Sequence, residues 1–321
     1  MGLTTKVTIF LIVSVFLMSV LAACASTPER PVPAGQSEPA FPLNVTDQMN
    51  RQVTIEKIPE RLVSLSPSNT EIIYALGLEE KLIGVTEFCD YPEAAKGKPK
   101  LGGFSTVDIE RVVDSQPDLI LAAGIHEDEV IPRLEGLGLT VLALAPKTLD
   151  EVLEAITLVG RCTGEEEEAA QLVTGMGNRI GVITDKTRTL TPDERPRVFY
   201  IVWHDPLMTV GSDTRIHELI ESAGGTNIAQ KLGEEYPTMS PEAVIMANPQ
   251  IIIAGGGMGE GASLPYEFAL TVEWFKDLDA RVNGRIYEID TDLVGRPGPR
   301  MVDGLEQLAK MIHPEIFGLM E

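Results

Sequence analysis

Basic residues are scarce in this chain. Against 48 aspartates and glutamates stand 26 lysines and arginines, which gives a formal charge of −22 at pH 7 and a pI near 4.6. Such a field repels polyanions and leaves little basic surface to hold phosphates, so nucleic-acid binding is excluded. Catalytic sets are missing as well. There is no glycine-rich loop ending in Lys-Ser/Thr, no His-Glu-x-x-His, no Cys-x-x-Cys and no Gly-x-Ser-x-Gly. The histidines, His126, His204, His217 and His313, are dispersed without metal-ligand spacing. An enzyme or metallochaperone therefore has little to stand on, and no resident metal or cofactor is expected.

The N-terminus carries one lysine, Lys6, and then an apolar run from Val7 to Ala22 broken only by Thr8, Ser14 and Ser19. The run falls short of the roughly 20 residues of a spanning helix. It has the pattern of a secretory signal, with an uncleaved membrane anchor as the rival reading. It closes on Leu21-Ala-Ala-Cys24, which resembles a bacterial lipobox. The resemblance implies a signal peptide over 1–23 and Cys24 as the lipidated first residue of the mature chain. From Ser26 to Pro42 five prolines occur with few large apolar residues, a composition that cannot pack, so 24–42 reads as a tether. Cys89 and Cys162 remain, in a compartment that permits disulfides, either to pair or to stay as two buried thiols.

The folded part begins near Leu43, with a short hairpin over Leu43–Val53 and a β-branched strand over Arg61–Ser66. Ser68 and Glu71 have capping-box spacing, which predicts a helix that starts there and stops at Gly77. Further strand-like runs, Leu82–Thr86, Leu119–Ala123 and Val141–Ala145, alternate with helical stretches and predict a mostly parallel sheet covered by helices. The segment Val107–Gly124 is echoed 132 positions later by Met239–Gly256, with Glu, Pro, Ala and Gly in register. Each copy reads as a helix stopped before proline and then a buried strand, so the chain is read as two related α/β lobes. Between the copies, Ala169, Leu172, Val173, Met176, Ile180 and Ile183 fall at helical spacing, and Glu165–Glu168 sits where a helix dipole favours negative charge. The organisation expected is a first lobe over 43–163, a connecting helix over 164–190 and a second lobe over 191–321. Two Rossmann-like lobes joined by one long helix leave a single cleft, which suits a small ligand.

Several segments then carry a resemblance. Val45–Thr54, Pro59–Glu71, Asp90–Pro92, Trp203–Gly211 and Arg296–Arg300 resemble the ferric-siderophore, haem and vitamin B12 substrate-binding proteins of ABC importers, most of all the cobalamin branch. The resemblance runs from about Leu43 to the C-terminus. It implies the class III periplasmic-binding-protein fold, a corrinoid held between the lobes with little closing motion, and delivery to a permease dimer driven by a cytoplasmic ATPase. A ferric siderophore or haem is the alternative ligand. It also implies an extracytoplasmic monomer that touches the membrane only through its lipid anchor. By position, Tyr91, Phe104, Met208 and Tyr236 fall where the cobalamin binder presents aromatic rings, Met208 replacing one of them with a polarisable thioether. Arg296 and Asp292 belong to the segment that reaches the cleft, while Arg300 is expected to tie the last helix to its own lobe. Trp203 and His204 close the strand Val198–Val202, where the imidazole would hydrogen-bond or ligate a metal centre. Glu110 and Glu242, equivalent in the repeat, match the acidic residues that meet permease arginines in the family.

Overall fold

The structure, a computed structural model, describes residues 41–256 and 263–319. The signal segment, Cys24 and nearly all of the tether lie outside the described residues. The chain divides into Met1–Glu38 and the compact unit Pro39–Glu321, which holds both lobes. Among the described residues no helix is long and apolar enough to cross a membrane.

An antiparallel hairpin of β1 (Leu43–Thr46) and β2 (Gln52–Ile55) leads into the first lobe. Its sheet consists of β3 (Leu62–Ser64), β4 (Leu82–Val85), β5 (Leu119–Ala123) and β6 (Val141–Leu144), all parallel in the order β4-β3-β5-β6. The second lobe has β7 (Arg197–Ile201), a small antiparallel pair of β8 (Trp203–His204) and β9 (Leu207–Met208), then β10 (Thr226–Asn227), β11 (Ile251–Gly256) and β12 (Ile286–Asp290). Its parallel sheet runs β10-β7-β11-β12, the same spatial order as in the first lobe. The strands are near-continuous apolar runs because helices cover both faces; every residue of β6 and of β11 is buried.

The internal repeat is structural to a finer grain than its four matched residue types. The helix Ile109–Asp114 is capped by Asp108, which accepts from the Arg111 amide at 3.1 Å. The helix Pro241–Ala247 is capped at the equivalent point by Ser240, which accepts from the Ala243 amide at 3.2 Å. Both helices are followed by a left-handed residue just before the proline, Gln116 at φ 49° and Asn248 at φ 41°. In each lobe an arginine at the start of the first strand holds that turn. Arg61 donates to the Gln116 and Ser115 carbonyls at 2.9 and 2.6 Å, and Arg197 donates to those of Ala247 and Asn248 at 2.8–3.0 Å. These carbonyls have no intrahelical partner, so the cation both satisfies them and meets the negative end of the helix dipole.

One local expectation is corrected, and one pair of alternatives is decided. The helix after β3 runs Pro67–Ala75 with Ser66 at its N-cap, and no capping box forms. Ser68 Oγ bonds Ser66 Oγ at 2.7 Å, and Glu71 is drawn away by an arginine of the other lobe. Cys89 and Cys162 are both free and buried, so no bridge is made. Cys89 bonds Thr86 Oγ1 at 3.2 Å below the loop after β4, and Cys162 sits in the last turn of the helix Leu149–Thr163, where burial pushes its thiol up to about 12.

The helix Glu166–Thr187, 22 residues long, joins the lobes. Glu166, Glu167 and Glu168 occupy its first turn. Arg179 on its outer face donates to Glu306 at 2.8 Å and to Asp303 at 2.5 Å on the last long helix, Met301–Ile312. Its inner residues Met176 and Ile183 belong to one continuous apolar cluster that also holds Leu62 and Leu121 of the first sheet and Val198, Ile251 and Leu308 of the second lobe. The lobes therefore share a core, and a large hinge motion would expose it. Gly175, Gly177 and Gly181 lie within this helix with open space where a Cβ would stand. Replacing any one of them with alanine is expected to stabilise Pro39–Glu321 by about 1 kcal/mol, measured by urea unfolding.

Candidate functional site

Every strand of a parallel sheet ends at the same edge, so each lobe gathers its loops along one carboxyl edge. The side-chain bonds between the lobes arise from segments that leave those edges. On the first lobe these are Glu71, after β3, Asp90, after β4, and Pro146 and Leu149, after β6. On the second they are Arg215 and Glu218, in the helix Arg215–Ser222, and Arg296 and Arg300, after β12. The two carboxyl edges thus face each other.

An ion cluster fastens them. Arg300 makes a two-point pair with Glu71, Nε to Oε2 at 3.0 Å and Nη2 to Oε1 at 2.6 Å. Its guanidinium also lies 3.8 Å from the centre of the Tyr91 ring. Arg296 Nη1 reaches Asp90 at 2.6 Å and stands 3.6 Å from Glu71, while its Nη2 takes Asp292 at 2.8 Å. Three carboxylates share two guanidiniums, and the surroundings sort them. Burial raises the Glu71 and Asp292 carboxyls above the ordinary range despite the arginines. Burial pushes Asp90 the same way, but the hydrogen bond and charge of Arg296 outweigh it and leave that carboxyl below its ordinary value.

This arrangement revises the role expected of Arg300 and shows what holds Arg296 in place. Arg300 does not tie the last helix to its own lobe; it crosses to the other lobe, because Glu71 is a nearly buried carboxylate that needs a cation. Arg296, expected to donate to a ligand, has both terminal nitrogens engaged by carboxylates.

Apolar surface flanks the cluster on both sides. In the first lobe Tyr91 is 46% exposed, and Phe104 is half-buried with its edge on the His126 ring at 5.6 Å. His126 accepts from the Ala123 amide through Nδ1 at 3.0 Å and so donates through Nε2 to the Phe104 carbonyl at 2.7 Å. Burial lowers its pKa, which keeps the ring neutral as this pair of bonds requires. In the second lobe Trp203 and Tyr236 are 40% and 47% exposed, and Met208 faces Trp203 across the β8–β9 pair. His204 is packed between Trp203 and Phe268, at 4.8 and 5.8 Å between ring centres, with Nδ1 buried and unpartnered among the described residues. The ring is thus held by its aromatic neighbours and remains half-buried at the edge of the lobe. Among the described residues no group of His, Cys, Asp and Glu could hold a metal ion.

Residue-by-residue reading missed Phe88 and Ile125, each 58% exposed on segments leaving β4 and β5. Their signal is present in the sequence, since a large apolar residue directly after a buried parallel strand falls at the binding edge. Glu110 and Glu242 stand in the first turns of the two repeat helices. Each helix runs back along its sheet, so these turns lie at the carboxyl edges too. Both glutamates are exposed, and among the described residues neither takes part in an ion pair.

Comparison with known proteins fits this geometry. Residues 62–293 match the family described as periplasmic binding protein. The chain belongs to the periplasmic binding protein family. Within that family it is 35% identical over 307 residues to the uncharacterized ABC transporter substrate-binding lipoprotein YvrC of Bacillus subtilis, 92% of this chain and 94% of that protein. The periplasmic vitamin B12 binding protein BtuF of Vibrio cholerae superposes with a TM-score of 0.69 at 27% identity, over 79% of this chain and 97% of that one. The periplasmic heme-binding protein RhuT of Roseiflexus superposes with a TM-score of 0.70 at 26% identity, over 80% and 99% of the two chains. The two-lobed class III periplasmic-binding-protein fold is common to this chain and to both of these solved structures.

The ion cluster of this periplasmic binding protein makes a direct prediction. Changing Arg300 to methionine leaves buried Glu71 with Arg296, at 3.6 Å, as its remaining cation and without its two-point partner, an expected loss of about 3 kcal/mol in urea unfolding. Adding Glu71→Leu to that variant should restore part of the loss, since it removes the stranded charge.

Proposed function

We propose that this periplasmic binding protein is the extracytoplasmic carrier of an ABC importer, and that it holds a corrinoid such as vitamin B12 between its lobes. The observation that carries the reading is the set of flat and apolar side chains on the two facing edges, Tyr91 and Phe104 on one side and Trp203, Met208 and Tyr236 on the other. A macrocycle has two broad, largely apolar faces. It gains most from such paired surfaces, and each ring it covers contributes about 1.5–3 kcal/mol. The likeness to the Vibrio cholerae protein supports the same ligand class.

In this reading Cys24 anchors the chain to the outer face of the membrane by its lipid, and the carrier works as a monomer with no cofactor of its own. Glu110 and Glu242, two exposed carboxylates at equivalent points of the two lobes, meet arginines of a permease dimer whose ATPase is cytoplasmic. Two matched charges suit a partner with two-fold symmetry. A second reading keeps the carrier and changes the cargo to haem or a ferric siderophore. It is favoured by the exposed phenols of Tyr91 and Tyr236, since phenolate is a ligand for ferric iron.

Calorimetric titration of Pro39–Glu321 with cyanocobalamin is expected to give one site per chain, weakened roughly tenfold or more by Tyr91→Ala or Trp203→Ala. Absence of heat with cyanocobalamin, together with binding of haemin or ferrichrome, would replace the corrinoid by the second reading.

A further inference from the structure

The small antiparallel pair of β8 and β9 is widened by a third run of chain, residues 235–239, which lies beside β9 and its continuation in the opposite direction. The Leu207 carbonyl accepts from the Met239 amide at 3.0 Å, the Thr209 amide donates to the Pro237 carbonyl at 2.9 Å, and the Gly211 amide donates to the Glu235 carbonyl at 2.8 Å. Between the first two of these bonds Met208 is bridged to Thr238, and on its other side Met208 pairs with Trp203. The register is therefore constant from Leu207 to Gly211, and the product is an antiparallel ribbon three strands wide.

Alternation along the strands sorts the side chains between two faces. Leu207, Thr209, Pro237 and Met239 share one face, and all four are buried. Trp203, Met208, Tyr236 and Thr238 share the other with Val210. There Trp203, Tyr236 and Thr238 are exposed and Met208 is half-buried, while Val210, opposite Tyr236, is buried. Trp203, Met208 and Thr238 form one row across the ribbon, two strand spacings or about 10 Å wide. Thr238 thus adds a hydroxyl to the apolar surface of the second edge. Gly211 stands at the end of the ladder. A Cβ there would overlap the Glu234 carbonyl oxygen and lie 3.2 Å from that of Leu232. Both are backbone atoms, so any side chain at 211 pushes the third strand away just before Tyr236.

We infer, resting on the carrier reading above and deepening it, that residues 235–239 are part of the cargo site: Thr238 hydrogen-bonds a polar group on the rim of the cargo, and Gly211 is a positioning residue that lets this strand close on β9 and so sets Tyr236. A flat cargo lying on Trp203, Met208 and Tyr236 brings its edge to the outer strand, where Thr238 is the exposed polar side chain of that face. A hydroxyl both donates and accepts, so it serves an amide or a carboxylate equally. An apolar platform alone takes any flat ring, whereas a hydroxyl at its border distinguishes cargo with a polar rim from cargo without one.

The test is titration of Pro39–Glu321 and its variants with cyanocobalamin, haemin and ferrichrome, read for whichever the unaltered protein binds. Thr238→Val keeps the shape of the side chain and deletes the hydroxyl; it is expected to weaken binding about fivefold, and Thr238→Ser to change it by less than about twofold. Gly211→Ala on its own is expected to weaken binding about fivefold or more. Added to Tyr236→Ala it should cost less than about twofold further, because it acts through that ring. Unchanged affinity in Thr238→Val, or an equal loss in Thr238→Ser, removes Thr238 from the site. No loss with Gly211→Ala, or a loss that persists in full beside Tyr236→Ala, refutes the positioning role. In each of those outcomes the cargo still binds, so the carrier reading stands while the inference fails. If none of the three ligands binds the unaltered protein, the cargo reading and the inference fall together.

Discussion

Glu71 is almost wholly excluded from water, and a carboxylate in that position needs a cation at hand. Its cation, Arg300, comes from 229 positions further along the chain and from the opposite lobe. The consequences spread from that pair. It keeps the helix Pro67–Ala75 in contact with the loop after β12, it lays a guanidinium on the Tyr91 ring, and it sets Arg296 between Asp90 and Asp292. The floor of the cleft is therefore built jointly by the two lobes. Phe88, Ile125, Trp203 and Tyr236 are exposed on the edges that this junction brings face to face, and the Tyr91 ring is part of the junction itself.

Much of this was legible in the sequence wherever the deciding physics is local or periodic. The buried parallel strands announce themselves as apolar runs, and β4, β5 and β6 fall within a residue of where those runs lie. The repeat at 132 positions gave the two-lobed plan, and the structure extends it to the caps at Asp108 and Ser240 and the arginines at 61 and 197. The family segments were readable as ordered motifs. What escaped was set by tertiary charge. The spacing of Ser68 and Glu71 satisfies a local rule for starting a helix, yet a salt bridge across the cleft outcompetes that bond for the Glu71 side chain. The partners of Arg300 and Arg215 lie far off in the chain, and nothing in the neighbouring residues points to them. The packing of His204 was equally illegible, because the ring of Phe268 that lies against it comes from a helix about 60 residues further on.

The two lobes share a sheet order, a helix cap and a helix stop, but their facing edges differ. The elements in common serve folding: the cap, the left-handed turn and the arginine that seals it lie along the helix that feeds each central strand. The first edge supplies Glu71, Asp90 and the rings of Tyr91 and Phe104, and the second supplies the arginines, Asp292, the Trp203 indole and the Tyr236 phenol. A duplicated scaffold has thus been given complementary rather than matching surfaces, which is what a ligand with chemically different ends requires.

The apolar cluster that runs unbroken through the helix Glu166–Thr187 bears on how such a carrier communicates. A carrier that swings on a hinge advertises its cargo by a change of outline. Here the shared core opposes such a swing, which leaves the chemistry exposed at the mouth of the cleft as the natural signal of filling. A partner docked over both lobes must read that chemistry directly, by touching the cargo or the side chains it displaces, and rigidity turns the carrier from a messenger of shape into a presenter of surface.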